Sequence, residues 1–242
     1  MLDTSAVLRQ PKENKRLSIV IPALNEEEGI EKTIQSIPKE ELQGMGYDVE
    51  VIVVDNGSED QTGELARRAG AKVVFEPKRG YGSAFKAGFS HAKGDLIATA
   101  DADATYPVED ITRLVEILED EALDFLTTNR FAFLESGAMS FRNRLGNNVL
   151  ALATRMLFGL DMRDPESGMW VFRRSILSSL KLASDSWPFS HEIKIEACYF
   201  NKRRWKEVAI RYRARSGQTK LLSGWKVGLV DLLHLMKKRI SR

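Results

Sequence analysis

The sequence predicts an α/β fold: a mostly parallel central sheet flanked by helices. Three observations carry this. Short β-branched runs alternate with helix-period segments through the first half of the chain, the pattern of parallel strands joined by right-handed crossovers. Polar residues cluster directly after those runs, at the carboxyl ends where such sheets bind ligands. With 242 residues, 43% hydrophobic and 29% charged, the chain can bury a substantial core.

Residues 17–21 form the first run, closed by Pro22, and residues 26–37 follow with helical spacing. A second strand is expected over 49–54 and a second helix over 61–69. Strand 72–75, helix 81–92 and strand 96–100 continue the alternation. Beyond it, 108–118 reads as a helix and 124–128 as a strand. Leu145, Val149, Leu152, Met156 and Leu160 make an apolar stripe at helical spacing. Short strands over 169–172 and 208–212 flank a helix around 192–200. From residue 223, Trp225, Leu229, Leu232, Leu233, Met236 and Ile240 share one face of a helix that ends in Lys237-Lys238-Arg239. The expected organisation is a polar extension over 1–16, an α/β domain over 17–222 and a basic amphipathic helix over 223–242.

Cys198 is the single cysteine, which excludes an internal disulfide. No run of about 18 uncharged apolar residues is present, so no bilayer-spanning helix is expected. The polar start does not read as a signal peptide, and a cytoplasmic location is expected. The net charge of +2 hides an asymmetry. Residues 201–242 hold 13 lysines and arginines against Glu207 and Asp231, a local +11, while the remaining 200 residues carry −9. A basic end on an acidic body points to an anionic partner, without choosing among membrane, nucleic acid and phosphate.

Asp101-Ala102-Asp103 follows the strand at 96–100. On an extended chain residues i and i+2 point the same way, so the two carboxylates face one site and repel unless a cation joins them. A hard divalent ion that also takes phosphate oxygens does this, which implies a nucleotide or nucleotide-sugar ligand. The alternative is a polar loop in which Asp103 caps the next helix. Asp55 closes the second strand, ahead of Asn56-Gly57-Ser58, Asp60 and Thr62; it suits a ribose or base, while Ser58 or Asp60 suits the helix cap. Arg79-Gly80-Tyr81-Gly82 precedes the third helix, whose free N–H groups favour anions. As a dinucleotide fingerprint it fails, because Phe85 stands where the third glycine would be. A glycine-permitted turn is the plain alternative.

Pro22-Ala23-Leu24-Asn25-Glu26, Val54-Asp55-Asn56-Gly57-Ser58, Arg79-Gly80-Tyr81-Gly82 and Asp101-Ala102-Asp103 occur in an order and spacing that resemble the family-2 glycosyltransferases of the GT-A fold. Asn129-Arg130-Phe131, Asp164 with Ser167-Gly168, Phe172-Arg173-Arg174 and the segment from Arg215 through Lys220 to Leu221 resemble the dolichol-phosphate mannose synthase group within it. The resemblance spans residues 17–222. It implies an inverting enzyme that moves a hexosyl residue from GDP-mannose, a UDP-hexose or a UDP-N-acetylhexosamine to a polyprenyl (dolichyl) phosphate. The donor would be held by Pro22, Asn25, Glu26, Asp55, Arg79, Gly80, Gly82, Asp101, Ala102 and Asp103. Asp101 and Asp103 would hold Mg²⁺ or Mn²⁺. Arg130, Arg144, Asn148, Arg215 and Lys220 would grip the acceptor phosphate, with Asp103, Arg130, Arg144 and Arg215 carrying catalysis. Guanidinium forks suit a phosphate monoester.

Two positions depart from the group. Thr105-Tyr106-Pro107 stands where Gln-His-Pro is common, leaving the third metal contact and the donor open, and Asn56 replaces a second aspartate, a change expected to alter base or ribose recognition. A lipid acceptor implies peripheral docking on a membrane by the helices around 145–160 and 223–242, the latter with the basic, Trp-bearing character of an interfacial helix; packing on the body or on another subunit is the alternative. His191, Glu192 and Glu196 share a helix and are candidates to touch sugar or acceptor. Were the acceptor a polysaccharide or protein hydroxyl instead, a general base would be needed, and Glu192 is the candidate. A non-catalytic nucleotide-binding module on nucleic acid is disfavoured, since the basic tail lacks interleaved aromatics or a groove-reading helix.

Overall fold

The computed structural model describes residues 15–214 and 224–240. Seven strands form one sheet in the order β3-β2-β1-β4-β6-β5-β7. In chain order they are β1 (Lys15–Ala23), β2 (Tyr47–Asp55), β3 (Lys72–Phe75), β4 (Leu96–Thr99), β5 (Phe125–Leu134), β6 (Trp170–Arg173) and β7 (Trp205–Tyr212). All neighbours are parallel except β6, which runs antiparallel to both β4 and β5. The helices are α1 (Ile30–Gln35), α2 (Lys39–Gly44), α3 (Thr62–Arg68), α4 (Tyr81–His91), α5 (Ile111–Asp120), α6 (Phe141–Phe158), α7 (Phe189–Ile195) and α8 (Gly224–Ile240).

The strand pleat divides the core into two layers. Leu17, Ile19 and Ile21 of β1 face α1 and α5, meeting Ile34, Leu114 and Leu118, while Val20 joins Val54, Phe85 and Phe89 on the α4 side. α4 lies close on the sheet at Gly88, where a Cβ would collide with Val20.

Several elements differ from expectation. Residues 26–29 form a turn rather than helix, with the Glu26 carbonyl accepting from the amides of Gly29 and Ile30. α2 was not expected; it buries only Leu42, too little for an apolar period. β5 runs to Leu134, past a register shift between Asn129 and Phe133. The helix expected over 192–200 begins earlier, at Phe189, and passes into a π-helical turn over Glu196–Phe200.

α6 and α8 each bury a mixed face, part polar and part apolar. α6 buries Asn147, Leu150, Thr154 and Phe158, while Leu145, Val149, Leu152 and Met156 stand exposed; of the expected stripe only Leu160 is buried. α8 packs on α6, with Arg239 donating to the Leu157 carbonyl at 3.0 Å; it buries Asp231, Leu235 and Lys238 and leaves Leu229, Leu233, Met236 and Ile240 exposed, while Leu232 packs partly buried against the core. The exposed members of these stripes therefore do not pack on the body, whereas Leu160 and Leu232 do. The Trp225 side chain lies outside the described residues. Among the described residues no helix is long and apolar enough to cross a membrane.

Candidate active site

β2, β1 and β4 lie side by side and parallel, so the loops after Asp55, Ala23 and Thr99 leave the same edge of the sheet. Asp55 and Asp101 flank this edge two strand spacings apart, about 10 Å. Asp55 accepts from the Ser58 amide at 2.8 Å. A Cβ at Gly63 would sit 2.7 Å from its other oxygen, so the first turn of α3 comes close only because residue 63 lacks a side chain. Beyond Pro22, Asn25 adopts φ +52°, a conformation asparagine tolerates. Its side chain accepts from the Glu59 amide at 2.7 Å, and the Glu26 amide donates to Thr62 at 2.7 Å. Asp60 accepts from the Thr62 amide at 3.0 Å, so it serves the start of α3, as expected.

Asn56 is buried and its amide is fully used. It donates to the carbonyls of Glu76 (2.9 Å) and Lys78 (2.8 Å) and accepts from the Gly80 amide (2.7 Å). The expectation that this departure changes base or ribose contacts is corrected: the side chain ties the 76–80 loop to β2. The reading of Gly80 and Gly82 changes as well. Gly80 has φ +146°; a Cβ there would collide with the Asp185 carbonyl, and one at Gly82 with that of Ser184. The Ser83 amide already donates to Asp185. The glycines thus admit the 184–185 backbone over the α4 N-terminus, and the open anion site expected there is covered. Arg79 remains exposed at the edge, donating to the Gly57 carbonyl and to Glu59.

α1 supports the Asp101–Asp103 loop from below. Thr33 donates to the Ala102 carbonyl and accepts from the Ala104 amide, both at 3.1 Å. Gly29 leaves no room for a side chain against Ala102 and Asp103. Asp103 does not cap the next helix; it accepts from the Thr105 amide (3.1 Å) and hydroxyl (2.7 Å). Tyr106, in the position of the group's histidine, is buried and accepts from the Gly168 amide at 2.7 Å, and burial keeps its hydroxyl protonated, which makes it a poor ligand for a hard cation. Asp101 accepts from the Tyr81 hydroxyl at 3.1 Å, and Tyr81 stacks on Trp187. Burial, and then the neighbouring Asp103, pushes Asp101 up to about 7 against the opposing influence of Tyr81 and Arg130. Two crowded carboxylates of this kind suit a divalent cation. Among the described residues no third His, Cys, Asp or Glu joins them; a hard ion that completes its shell with water and substrate phosphate fits such a two-carboxylate donor set.

Arg130 lies on β5 at the register shift. Burial opposes its charge, but buried Asp164 raises it further above the usual arginine range, accepting from Nε (2.7 Å) and Nη2 (2.8 Å) as well as from the Arg130 amide (3.0 Å). This fork uses two of the five guanidinium N–H donors, and the group lies 5.4 Å from the Tyr212 ring centre. Arg144 and Asn148 line a pocket of about 490 Å³ together with Asn129, Leu152, Arg155 and Arg163. Arg155 and Arg163 were missed. Arg155 continues the helical spacing of Arg144 and Asn148 and was legible; Arg163 stands in a loop that carries no periodic signal. Arg215 and Lys220 lie outside the described residues.

The α7 candidates are corrected. His191, Glu192 and Glu196 are all buried, beneath α6 and α8. His191 contacts Thr154 at 2.6 Å and faces Glu166 at 2.9 Å. Glu192 accepts from Lys238 and from the Ser184 amide, and Glu196 pairs with Lys238 at 2.8 Å. Burial alone would raise the Glu192 carboxyl, but His234, Lys238 and Ser184 hold it down at about 2. A buried, ion-paired carboxylate of this kind is a poor general base.

The family model for glycosyl transferase family 2 matches residues 18–181. Among curated proteins, the low-salt glycan biosynthesis hexosyltransferase Agl6 of Haloferax volcanii is 33% identical over 215 residues, covering 87% of this chain and 51% of that protein. Dolichyl-phosphate hexose transferase of the same organism is 32% identical over 207 residues, covering 85% of this chain and 86% of that protein. The chain thus spans about half of the first relative and most of the second. Among solved structures, glucosyl-3-phosphoglycerate synthase from Mycobacterium tuberculosis, in complex with Mn²⁺, UDP and glucosyl-3-phosphoglycerate, superposes with TM-score 0.73 at 25% identity over 93% of this chain and 80% of that one. Sheet order, the paired carboxylates at its edge and these matches agree: the chain has the GT-A fold and belongs to glycosyl transferase family 2.

Proposed function

We propose that this chain is an inverting, metal-dependent glycosyltransferase that moves a hexosyl residue from a nucleotide sugar to a polyprenyl phosphate at a membrane surface. The observation that carries the reading is the carboxylate pair at the sheet edge with Arg130 beside it, next to an arginine-lined pocket on α6, whose outer face is apolar and exposed. A phosphate ester with an apolar tail matches that combination.

The donor lies along the edge, its nucleoside toward Asp55 and its diphosphate toward Asp101 and Asp103. Those two residues would hold Mg²⁺ or Mn²⁺, which when bound offsets charge on the departing diphosphate. Arg144 and Asn148, with Arg155 and Arg163, receive the acceptor phosphate, and Arg130 stands between the two anions with Asp164 fixing its plane. A phosphate oxygen is already ionised at neutral pH and attacks the anomeric carbon without a base. Placement and charge screening therefore do most of the work, in keeping with Glu192 being buried and paired. Arg215 and Lys220 are proposed to close over the same phosphate.

The outer faces of α6 and α8 dock on the bilayer. Leu145, Leu152 and Met156 join Leu229, Leu233 and Met236, flanked by exposed Arg142, Lys237 and Arg239, the composition of a peripheral surface for anionic lipid. The location that follows is peripheral, on the cytoplasmic face. Relatives named for dolichyl-phosphate hexose transfer and dolichol-phosphate mannosyl transfer support the acceptor class; the sugar is left to experiment.

The test is transfer of label from pooled GDP-mannose, UDP-glucose and UDP-N-acetylglucosamine into organic-extractable lipid, with a polyprenyl phosphate and Mn²⁺ or Mg²⁺. Label in the lipid phase that is lost in Asp103→Asn supports the reading, and splitting the pool names the sugar. Metal-dependent donor binding without lipid label overturns the phosphate acceptor.

A further inference from the structure

α7 carries a buried ammonium that the proposed chemistry does not use. Lys194 is fully buried, and its Nζ donates to the carbonyls of Pro165 and Ser167 (2.7 Å to the latter) and to the Ser190 hydroxyl at 3.3 Å. It also lies 5.3 Å from the Trp170 ring centre. Among the described residues no carboxylate pairs with it directly. A cation is costly to bury, and this one is spent on three neutral oxygens, two of them in the 164–168 segment.

That segment touches both halves of the site. Its first residue, Asp164, holds the Arg130 guanidinium in a two-bond fork. Its last, Gly168, lies against Asp101, where a Cβ would come 3.1 Å from the carboxylate and 2.6 Å from the Tyr81 hydroxyl. Between them, Ser167 bonds Thr128 at 2.6 Å, and its carbonyl accepts from Trp170 and Ser190 as well as from Lys194. Resting on the transferase reading above, we propose that Lys194 is a positioning residue that fixes the 164–168 segment from the interior and so sets Arg130 and Asp101 relative to one another.

Burial pulls Lys194 down to about 8, against the raising influence of Glu166, Asp164 and Glu207 and with the lowering influence of Arg130. His191 on the same helix also faces this cluster through Glu166, and burial disfavours its charged form against the raising influence of Glu166. Trp170 is a built-in reporter, because a cation over its ring disappears when Lys194 loses its proton.

The experiment uses the full chain and three readouts. At pH 7, Lys194→Met is expected to lower kcat at least tenfold, with the nucleotide Kd within threefold of wild type. The wild type is expected to lose kcat above pH 8, together with a change in Trp emission at the same midpoint that Trp170→Phe removes. Lys194→Arg, charged at every pH used, is expected to restore part of kcat and to lack the alkaline limb. If Lys194→Met does not fold, the wild-type profile and emission decide. Wild-type kcat and KM in a folded Lys194→Met, or an emission trace flat from pH 7 to 9.5, overturns the role of Lys194 alone. A wild-type protein that transfers to no acceptor overturns instead the transferase reading on which the proposal rests.

Discussion

Asn56→Asp restores the acidic residue common in the dolichol-phosphate mannose synthase group, and on this fold it should damage the protein. Asn56 is 4% exposed and bridges two carbonyls to which no other side chain donates among the described residues, at 2.9 and 2.8 Å. A carboxylate keeps the bond from the Gly80 amide but puts an anionic oxygen against both carbonyls. Both bonds are part-buried, so each acceptor left without a donor costs toward the lower end of about 1–3 kcal/mol, and with the added charge the substitution is expected to cost about 3 kcal/mol at pH 7. For a chain of this size that lowers Tm by about 6–12 °C. Burial and the facing carbonyls would raise the folded pKa of the new carboxyl above its unfolded value. The deficit is therefore full above that raised pKa and shrinks as pH falls through it, when the protonated acid can donate to one carbonyl. Asn56→Ala, which loses the same bonds without a charge, should show a deficit that does not vary over that range. Urea and thermal unfolding between pH 4 and 8 read both effects. An Asn56→Asp protein with wild-type Tm at pH 7 and altered nucleotide affinity would refute the reasoning and place Asn56 on the ligand.

Glu192→Gln removes one of the two carboxylates paired with Lys238. Because the folded pKa of Glu192, about 2, lies below the ordinary 4.5, its contribution of about 3 kcal/mol is present above pH 4.5 and lost as pH falls toward 2; the stability gap between wild type and variant, read by urea unfolding, should close over that window. Gly168→Ala places a methyl within 2.6 Å of the Tyr81 hydroxyl and 3.1 Å of Asp101. Overpacking of about 1–3 kcal/mol is expected, with metal-dependent nucleotide binding weakened at least tenfold by calorimetry; unchanged metal dependence counts against Asp101 as a ligand. Leu233→Glu and Met236→Glu alter side chains that are 57% and 48% exposed, so Tm should hold within about 2 °C, since surface changes cost little. Binding to anionic vesicles should fall about tenfold for each, from the loss of about 1–2 kcal/mol of apolar contact. A drop in oligomeric state with vesicle binding intact would reassign that face to a second copy of the chain.

The parallel part of the sheet was legible because its strands announce themselves: the run 17–21 is apolar and β-branched, although β1 continues through Pro22 to Ala23, and each following run ends in a polar loop. The carboxylates of the candidate site were legible for the same reason, since Asp55 and Asp101 sit where strands end. What the sequence withheld is pairing at a distance. Arg130 reads as a phosphate-gripping arginine, yet Asp164, 34 positions away, takes one edge of it. Gly80 and Gly82 read as room for an anion, yet the backbone that fills the room comes from residues 184–185. Asn56 reads as a changed ligand contact, although its amide is spent on its own loops. A local pattern shows which backbone shapes are allowed; it does not show what occupies the space they leave.

The helices α6 and α8 sharpen the point. Periodicity located their apolar stripes but could not say which face was buried, because amphipathicity has the same period whether the stripe meets a core or a membrane. The deciding residues are the polar ones. On α8, Lys238 reaches Glu192 and Glu196, and its neighbour Leu235 is the large apolar side chain that goes fully under. Removing one member of a buried pair of this kind costs about 3–5 kcal/mol, so α8 is fastened by groups that its outer stripe does not share. Apolar burial on the body and apolar burial in a bilayer would otherwise compete for the same leucines. Here they do not: the ionic face holds the helix, and Leu229, Leu233, Met236 and Ile240 remain on the outside. On the proposed reading the enzyme can meet a membrane without unpacking α8, so docking leaves the buried network under α7, and through it the 164–168 segment beside Arg130, unchanged.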